Sequence, residues 1–369
     1  MDLIDDGKWI FRATVGERTR RRRLAAVAMA FILALVVGST APVAHADGPP
    51  SCRDVMIATT ALAPLAGDQQ VYGRLCEPGG RPATVLQVLV HGGTYSHTYW
   101  DFAGFDGKYS YTDVMNRAGY GTLAIDLLGV GNSSHPSSVL LTAEAEARVV
   151  HDVVQAARSG RFGTAYGRVV TVGHSIGSVT SVLEAALYHD VDGVAASGFS
   201  HSPGPVGLAR LAVYARPAQL DPVTRSQVPP LDLGYLSAPG SHAAVFYGAG
   251  DADPAVVEAD EATRSPLAAG FLATFPTYLP LTSAITAPVL VADGQLDVMF
   301  CGQGGGGSLT DCATDDSLRV SEAPFFGQTP DLETFVLPGA GHILNLTRDA
   351  PAWYARALGW FESHFPAGA

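Results

Sequence analysis

The sequence predicts an α/β protein: a mostly parallel central sheet with helices on both faces, and a cap inserted after the sixth strand. Three observations carry that prediction. Short, near-continuous apolar runs such as "TVLQVLVHGG" alternate with segments whose apolar residues recur at helical spacing, the pattern of strands buried on both faces and joined by crossover helices. The unusual clusters "HGGTY", "DLLGVGNS", "GHSIG" and "GFSH" all fall where such a run ends, and parallel sheets bind ligands beyond the carboxyl ends of their strands. The rhythm breaks over residues 202–285 and then returns.

Taken in order, "RDVMIATTAL" and "QQVYGRLCEP" read as two leading strands, antiparallel to each other. "TVLQVLVHGG" follows as a buried strand, then a helical segment at "YTDVMNRAG" and a strand at "GYGTLAIDLLG". "TAEAEARVVHDVVQAARSG" has helical spacing and a glycine just past its end. A fifth strand ends at Ser175, a helix runs from about Gly177 to His189, and "VDGVAASGF" is the sixth strand. Residues 202–285, rich in Pro, Ala and aromatics, show no clean alternation and are read as the cap over the strand ends. "APVLVADG" and "ETFVLPGAGH" resume the sheet, and "APAWYARALGWFESHF" closes it as an amphipathic helix. The low-complexity piece "GQGGGGS" lies between Cys301 and Cys312.

With 369 residues, 47% hydrophobic and 16% charged, the chain can bury a large core. Its net charge of −12 argues against a nucleic-acid partner, which needs a basic footprint. The dense basic run, Arg18 to Arg23, directly precedes the apolar "LAAVAMAFILALVVG" and then "VAHA". A cationic segment, an apolar run and small residues at Ala44 and Ala46 read as a secretory signal over residues 1–46, cleaved after Ala46. The run is shorter than the roughly twenty residues of a membrane span, so no stable membrane anchor is expected after cleavage. The adjacent arginines leave a twin-arginine route open beside the general one. The expected organisation is therefore signal (1–46), core (47–201), cap (202–285) and core (286–369), in a secreted, extracellular protein.

Cysteine usage agrees with export. Cys52, Cys76, Cys301 and Cys312 all lie past the signal, and an even count in an oxidising compartment suggests bridges. Of the three pairings, Cys52–Cys76 and Cys301–Cys312 close the shortest loops. A zinc site is disfavoured because there is no C-x-x-C and no nearby His pair, and no metal or cofactor is expected.

The stretch "VVTVGHSIGSVTS" raises the chemical question. A serine hydroxyl is a weak nucleophile unless a base takes its proton. A strand-to-helix turn tight enough to project Ser175 crowds the backbone on both sides, and Gly173 and Gly177 relieve that crowding. The turn also puts Ser175 at a helix N-terminus, where free N–H groups stabilise negative charge. The base should be a histidine at a later strand end, and His342 in "VLPGAGHILNL" meets that condition. The orienting acid should follow a strand lying between them in the chain. Asp297 in "GQLD" fits, with Asp293, still at the strand's end, as its rival. The Ile176 amide is one donor for an oxyanion, and Gly93 or Thr94 supplies the second. Tyr95, His174 and His201 are expected to contact substrate or form the pocket wall, and His91 and His97 are further strand-end candidates. Asp251 and Asp253 in "GAGDADP" read as a solvated turn. The tripeptides at Asn132 and Asn345 fit the glycosylation pattern but lie near the expected site.

Taken together, "LVHGGTY", "DLLGVGNS", "GHSIG", "GQLD" and "GAGH" occur in the order and context of the α/β-hydrolase family, which the chain past its signal resembles everywhere except in the cap. The resemblance implies Ser175 as nucleophile, His342 as base, Asp297 as orienting acid and an oxyanion hole from Ile176 with Gly93 or Thr94. In this family the "D-x-x-G-x-G-x-S" run, here Asp126, Gly129, Gly131 and Ser133, is architectural. The "HGG" is followed by Thr94 and Tyr95 rather than the third glycine of some lipases. The expected activity is that of a secreted serine esterase or lipase acting on a small-molecule carboxylic ester. Thioesters and lactones could use the same machinery, and a non-catalytic ligand-binding or partner-binding relative is the reading from another class.

Overall fold

The apolar runs become strands buried on both faces. The computed structural model describes residues 48–80 and 82–368; the expected export signal lies outside them. Among the described residues no helix is long and apolar enough to cross a membrane. Eight strands form the main sheet: β1 (Ser51–Thr59), β2 (Gln69–Glu77), β3 (Val85–Val90), β4 (Gly121–Ile125), β5 (Arg168–His174), β6 (Gly193–Ser197), β7 (Val289–Gly294) and β8 (Leu332–Leu337). Their spatial order is β1-β2-β4-β3-β5-β6-β7-β8. β1 pairs antiparallel with β2 and β2 antiparallel with β4; all other pairings are parallel. Every residue of β3, β4, β6 and β7 is buried, which explains why these stretches lack polar alternation.

The period of two within each strand divides the interior into two cores. Leu86, Val88 and Val90 of β3 face one core, while Val85 and Leu89 face the other. Helix α1 (Tyr111–Arg117) is capped by the Ser110 hydroxyl, which accepts from the Asp113 amide. Helix α2 (Ala143–Arg158) is capped by Thr142 and buries Val149, Val150, Val153 and Val154. Helix α3 (Ile176–Tyr188) is buried along nearly its whole length and ends at His189 in a left-handed conformation. Past the sixth strand, residues 202–285 hold helices α4 (Pro205–Tyr214), α5 (Pro254–Ala262) and α6 (Ala269–Thr274). They also form a three-stranded antiparallel sheet from Arg216–Pro217, Tyr235–Ser237 and Leu267–Ala268. Strands of two or three residues leave no readable periodicity, so none of the three is legible in the sequence.

Helix α7 (Asp315–Glu322), between β7 and β8, is a further element without an assignment from sequence, although Thr314 followed by two aspartates is a helix-start signal; in the structure Thr314 and Ser317 cap it reciprocally. The closing helix α8 (Ala350–His364) buries Trp353, Tyr354, Trp360 and Phe361. Both expected disulfides are present. Cys52 and Cys76 are direct cross-strand partners on β1 and β2, and Cys301–Cys312 closes the glycine-rich loop.

Two predictions arise from this packing. A thiol titration of unfolded, unreduced protein should count no free cysteine, and the Cys52→Ser/Cys76→Ser double variant should lose about 3.5 kcal/mol in denaturant unfolding, the chain-entropy value for a loop of this size. Loss of less than about 1 kcal/mol would contradict a stabilising bridge. The second concerns Glu146, which is wholly buried in the first turn of α2, where one oxygen accepts the Leu128 amide. Burial raises its pKa from 4.5 to about 8. The folded state therefore holds a proton that the unfolded state releases between about pH 4.5 and 8. This group's contribution is complete below that window and is lost as pH rises through it. Glu146→Gln should raise the melting temperature at pH 8 more than at pH 5, and an equal shift at both would refute the assignment.

Candidate active site

Strand β5 turns into α3 through a single residue, Ser175, with φ 54° and ψ −119°. A serine in this region is strained and is held there by its surroundings. Its amide donates to the Ser197 carbonyl at 2.8 Å, and Ser178 Oγ donates to the same carbonyl at 2.8 Å. The flanking glycines are required by close approach. A Cβ on Gly173 would lie 2.4 Å from the Gly177 carbonyl oxygen, and one on Gly177 would lie 2.2 Å from that of Val90.

His342 follows β8 through Gly339, Ala340 and Gly341. Its Nδ1 lies 2.7 Å from Asp297 Oδ2, with both side chains buried. The other carboxylate oxygen, Asp297 Oδ1, accepts the Met299 and Phe300 amides at 2.7 and 3.2 Å. The aspartate is thus fixed at both oxygens, which fixes the imidazole in turn. Asp293 does not contact the imidazole. Burial first, and the neighbouring Asp297 second, hold its carboxyl well above the usual range. The His342 ring is flanked by Phe300 at 5.7 Å and His174 at 4.8 Å. The ring's hydrogen bond runs through Nδ1 to Asp297, and among the described residues none joins His342 Nε2 to Ser175 Oγ in this conformation. Gly198 lies between the two regions: a Cβ there would meet His174 Cε1 at 2.8 Å and His342 Cε1 at 2.9 Å.

The "HGGTY" loop leaves β3 beside the serine. A Cβ on Gly92 would sit 3.2 Å from Ser175 Cβ. His91 Nδ1–H donates to the Gly92 carbonyl at 2.8 Å, while its Nε2 accepts the Leu127 amide at 3.1 Å. These two bonds fix one neutral tautomer, and burial lowers its pKa. Thr94 has φ 69°. Among the described residues no hydrogen bond uses the amide of Thr94 or of Ile176, so both remain available to a ligand.

Ser175, Gly93, Thr94 and Ile176 line one cavity of about 360 Å³. Apart from Ser237 its remaining wall is apolar, including Leu208, Leu211, Leu236, Leu267, Phe275 and Phe300, and among the described residues no ionisable side chain lines it. The substrate contacts expected of Tyr95, His174 and His201 are not found there. Tyr95 is buried with its hydroxyl donating to Asp260 at 3.1 Å. His174 is buried beneath the site, stacked on Tyr99 at 4.6 Å, and burial first and His342 second push its pKa well below the usual range. His201 is held between Glu322 and Thr282, stacked on Phe325 at 4.2 Å. His97 is likewise occupied, its Nδ1 2.8 Å from Asp126.

One other reading changes, and the glycosylation pattern at Asn345 is discounted as expected. Asp251 is not a freely solvated turn residue: it accepts the amides of Gly248 and Gly341 at 2.8 and 2.9 Å and so braces the loop carrying His342. Asn345 is fully buried, donating to the Tyr99 carbonyl and accepting from Trp353 Nε1, which leaves no room for a glycan. Asp126 is architectural as expected, accepting the amides of His97 and Asn132.

Comparison with known proteins agrees with this architecture. The curated protein "Lipase 3" from Moraxella sp. (strain TA144) is 32% identical over 139 residues, a match spanning 37% of each chain. A thermophilic esterase from Thermogutta terrifontis superposes with a TM-score of 0.54 at 20% identity, covering 85% of this chain and 99% of that one. An alpha/beta hydrolase from Penicillium sp. sh18 gives 0.53 at 16% identity, with coverages of 85% and 99%. At these identities the superpositions establish the shared fold. The model of the family described as "Alpha/beta hydrolase family" matches residues 87–357, and the chain belongs to that family.

Proposed function

We propose that this protein is a serine hydrolase that cleaves carboxylic esters with an apolar acyl or alcohol group through an acyl-enzyme. The observation that carries the reading is the joint lining of one largely apolar cavity by a strained serine at a helix N-terminus and the unspent amides of Ile176 and Thr94, beside a buried His–Asp pair. His342 Nε2 takes the Ser175 proton as Oγ attacks the ester carbonyl. The amides of Ile176 and of Thr94 or Gly93 receive the developing oxyanion, and His342 returns the proton to the departing alcohol. Water activated by the same imidazole then attacks the acyl-enzyme, releasing the acid and restoring Ser175. Asp297 keeps the ring in the tautomer with its free lone pair on Nε2.

The likeness to "Lipase 3" and to the Thermogutta esterase supports an ester substrate. We further propose that residues 202–285 act as the cap, since Leu208, Leu211, Leu236, Leu267 and Phe275 come from that segment and form much of the cavity wall. Residues 1–46 are proposed as the cleaved export signal, supported by the two disulfides, which suit an oxidising compartment.

A fluorophosphonate should label the wild type and leave folded Ser175→Ala unlabelled; labelling retained in the variant would remove Ser175 from the nucleophile role. Asp297→Asn should lower kcat by about 10⁴-fold with the fold intact, because the imidazole would adopt the wrong tautomer. Unchanged turnover would eliminate Asp297 as the orienting acid. For a series of p-nitrophenyl esters, kcat/KM should rise about fourfold for each methylene that enters the apolar cavity, the rate equivalent of its burial. Leu236→Trp should shorten the preferred chain while leaving the acetate ester within about threefold. A flat chain-length profile would show that the acyl and alcohol groups lie elsewhere.

A further inference from the structure

His242 is fully buried against the "HGGTY" loop, although it lies far from that loop in the chain. A hydrogen bond of 2.8 Å joins its Nε2 to Thr94 Oγ1, and the same threonine hydroxyl is bonded to the Gly93 carbonyl. Its Nδ1 lies 3.0 Å from Asp260 Oδ2, a close contact without hydrogen-bond geometry. That carboxylate oxygen also accepts the hydroxyls of Tyr95 and Tyr247, at 3.1 and 2.9 Å. The imidazole is stacked on Tyr95 at 4.6 Å and closed on another side by Phe246 at 5.1 Å. The Ser265 amide donates to the Thr94 carbonyl at 2.7 Å. Thr94 is thus held at its hydroxyl and its carbonyl, and only its amide is left uncommitted.

A β-branched residue at φ 69° is a genuine outlier, of the kind that persists only where surrounding structure over-determines it. Asp260 and His242 are both wholly buried, and burying ionisable groups is unfavourable unless they are partnered. The partners here converge on one side chain next to the nucleophile. We propose that His242, braced by Asp260, is a positioning residue that keeps Thr94 in its left-handed conformation and so aims the Thr94 amide at the oxyanion. The proposal rests on the acyl-transfer reading and adds a dependence: the oxyanion loop, which follows the third strand, is set by side chains from the segment between the sixth and seventh strands. Docking of that segment is then a condition for turnover as well as for enclosing the substrate.

The test uses His242→Ala, His242→Gln, Thr94→Val and the His242→Ala/Thr94→Val double variant, each checked for fold by circular dichroism and melting temperature. His242→Ala should lower kcat about 10²-fold, the effect of misplacing one oxyanion donor, with KM within about threefold. The Ki of a trifluoromethyl ketone, whose adduct oxygen occupies the oxyanion position, should rise in proportion to the loss in kcat/KM. Glutamine can still reach Thr94 Oγ1, so His242→Gln should recover at least about tenfold of that loss. Thr94→Val keeps the side-chain shape but not the hydroxyl, and its loss should not add to that of His242→Ala in the double variant. Folded His242→Ala with wild-type kcat, His242→Gln no more active than His242→Ala, an unchanged ketone Ki in His242→Ala, or additive losses would overturn the proposal and leave the acyl-transfer reading standing. A wild type that no fluorophosphonate labels would overturn both. If His242→Ala does not fold, the comparison of His242→Gln with Thr94→Val carries the same test.

Discussion

The turn at Ser175 is the constraint from which the site follows. The strand becomes a helix within one residue, and the turn places a non-glycine residue at φ 54°. Two consequences are immediate. The hydroxyl projects from the end of the sheet instead of packing into it, and the backbone on either side approaches other chain segments so closely that Gly173 and Gly177 admit no side chain. The strain is held in place by the Ser197 carbonyl, which accepts both the Ser175 amide and the Ser178 hydroxyl. The neighbouring strand β6 therefore takes part in building the nucleophile.

Parallel topology brings the other groups to the same end of the sheet. Because β3, β5, β7 and β8 run in the same direction, their carboxyl ends deliver the "HGGTY" loop, Ser175, Asp297 and His342 to one rim. The loops then interlock. A Cβ on Gly294 would lie 1.8 Å from the Gly341 carbonyl oxygen, so the acid-bearing and base-bearing loops pass in direct backbone contact. Electrostatics divides the labour between two neighbouring aspartates. Asp297 has two backbone amides and an imidazole to stabilise its charge, whereas Asp293 lacks such partners and is driven towards the neutral form. The apolar cavity gives any group it admits little to recognise beyond shape, size and the reacting centre.

The parts of this arrangement that depend on local pattern were legible in the sequence. Continuous apolar runs announced the buried strands, glycines two residues either side of Ser175 announced the turn, and the chain order of Ser175, Asp297 and His342 followed from strand ends. The short cysteine spacings indicated both bridges. What could not be read was long-range and side-chain specific. Tyr95 and His201 look like substrate contacts because they lie at strand ends, but each is claimed by a carboxylate far away in the chain, Asp260 and Glu322 respectively. His242 and Asp260 sit in a segment with no periodicity, and nothing local marks them as reaching Thr94. Asp251 lies in a sequence typical of a solvated turn, yet its amide partners include Gly341, ninety residues further on.

The central claim is that Ser175, His342 and the two free amides act on one reacting carbon. A crystal structure of the protein with an alkylboronic acid tests it most directly. The account predicts a covalent bond from Ser175 Oγ to boron, with one boronate oxygen within about 3 Å of the amides of Ile176 and of Thr94 or Gly93. It also predicts a second oxygen within about 3 Å of His342 Nε2, with the alkyl group in the apolar cavity. A boronate bound away from Ser175, or bound to it with the His342 ring turned out of hydrogen-bonding reach, would contradict the account.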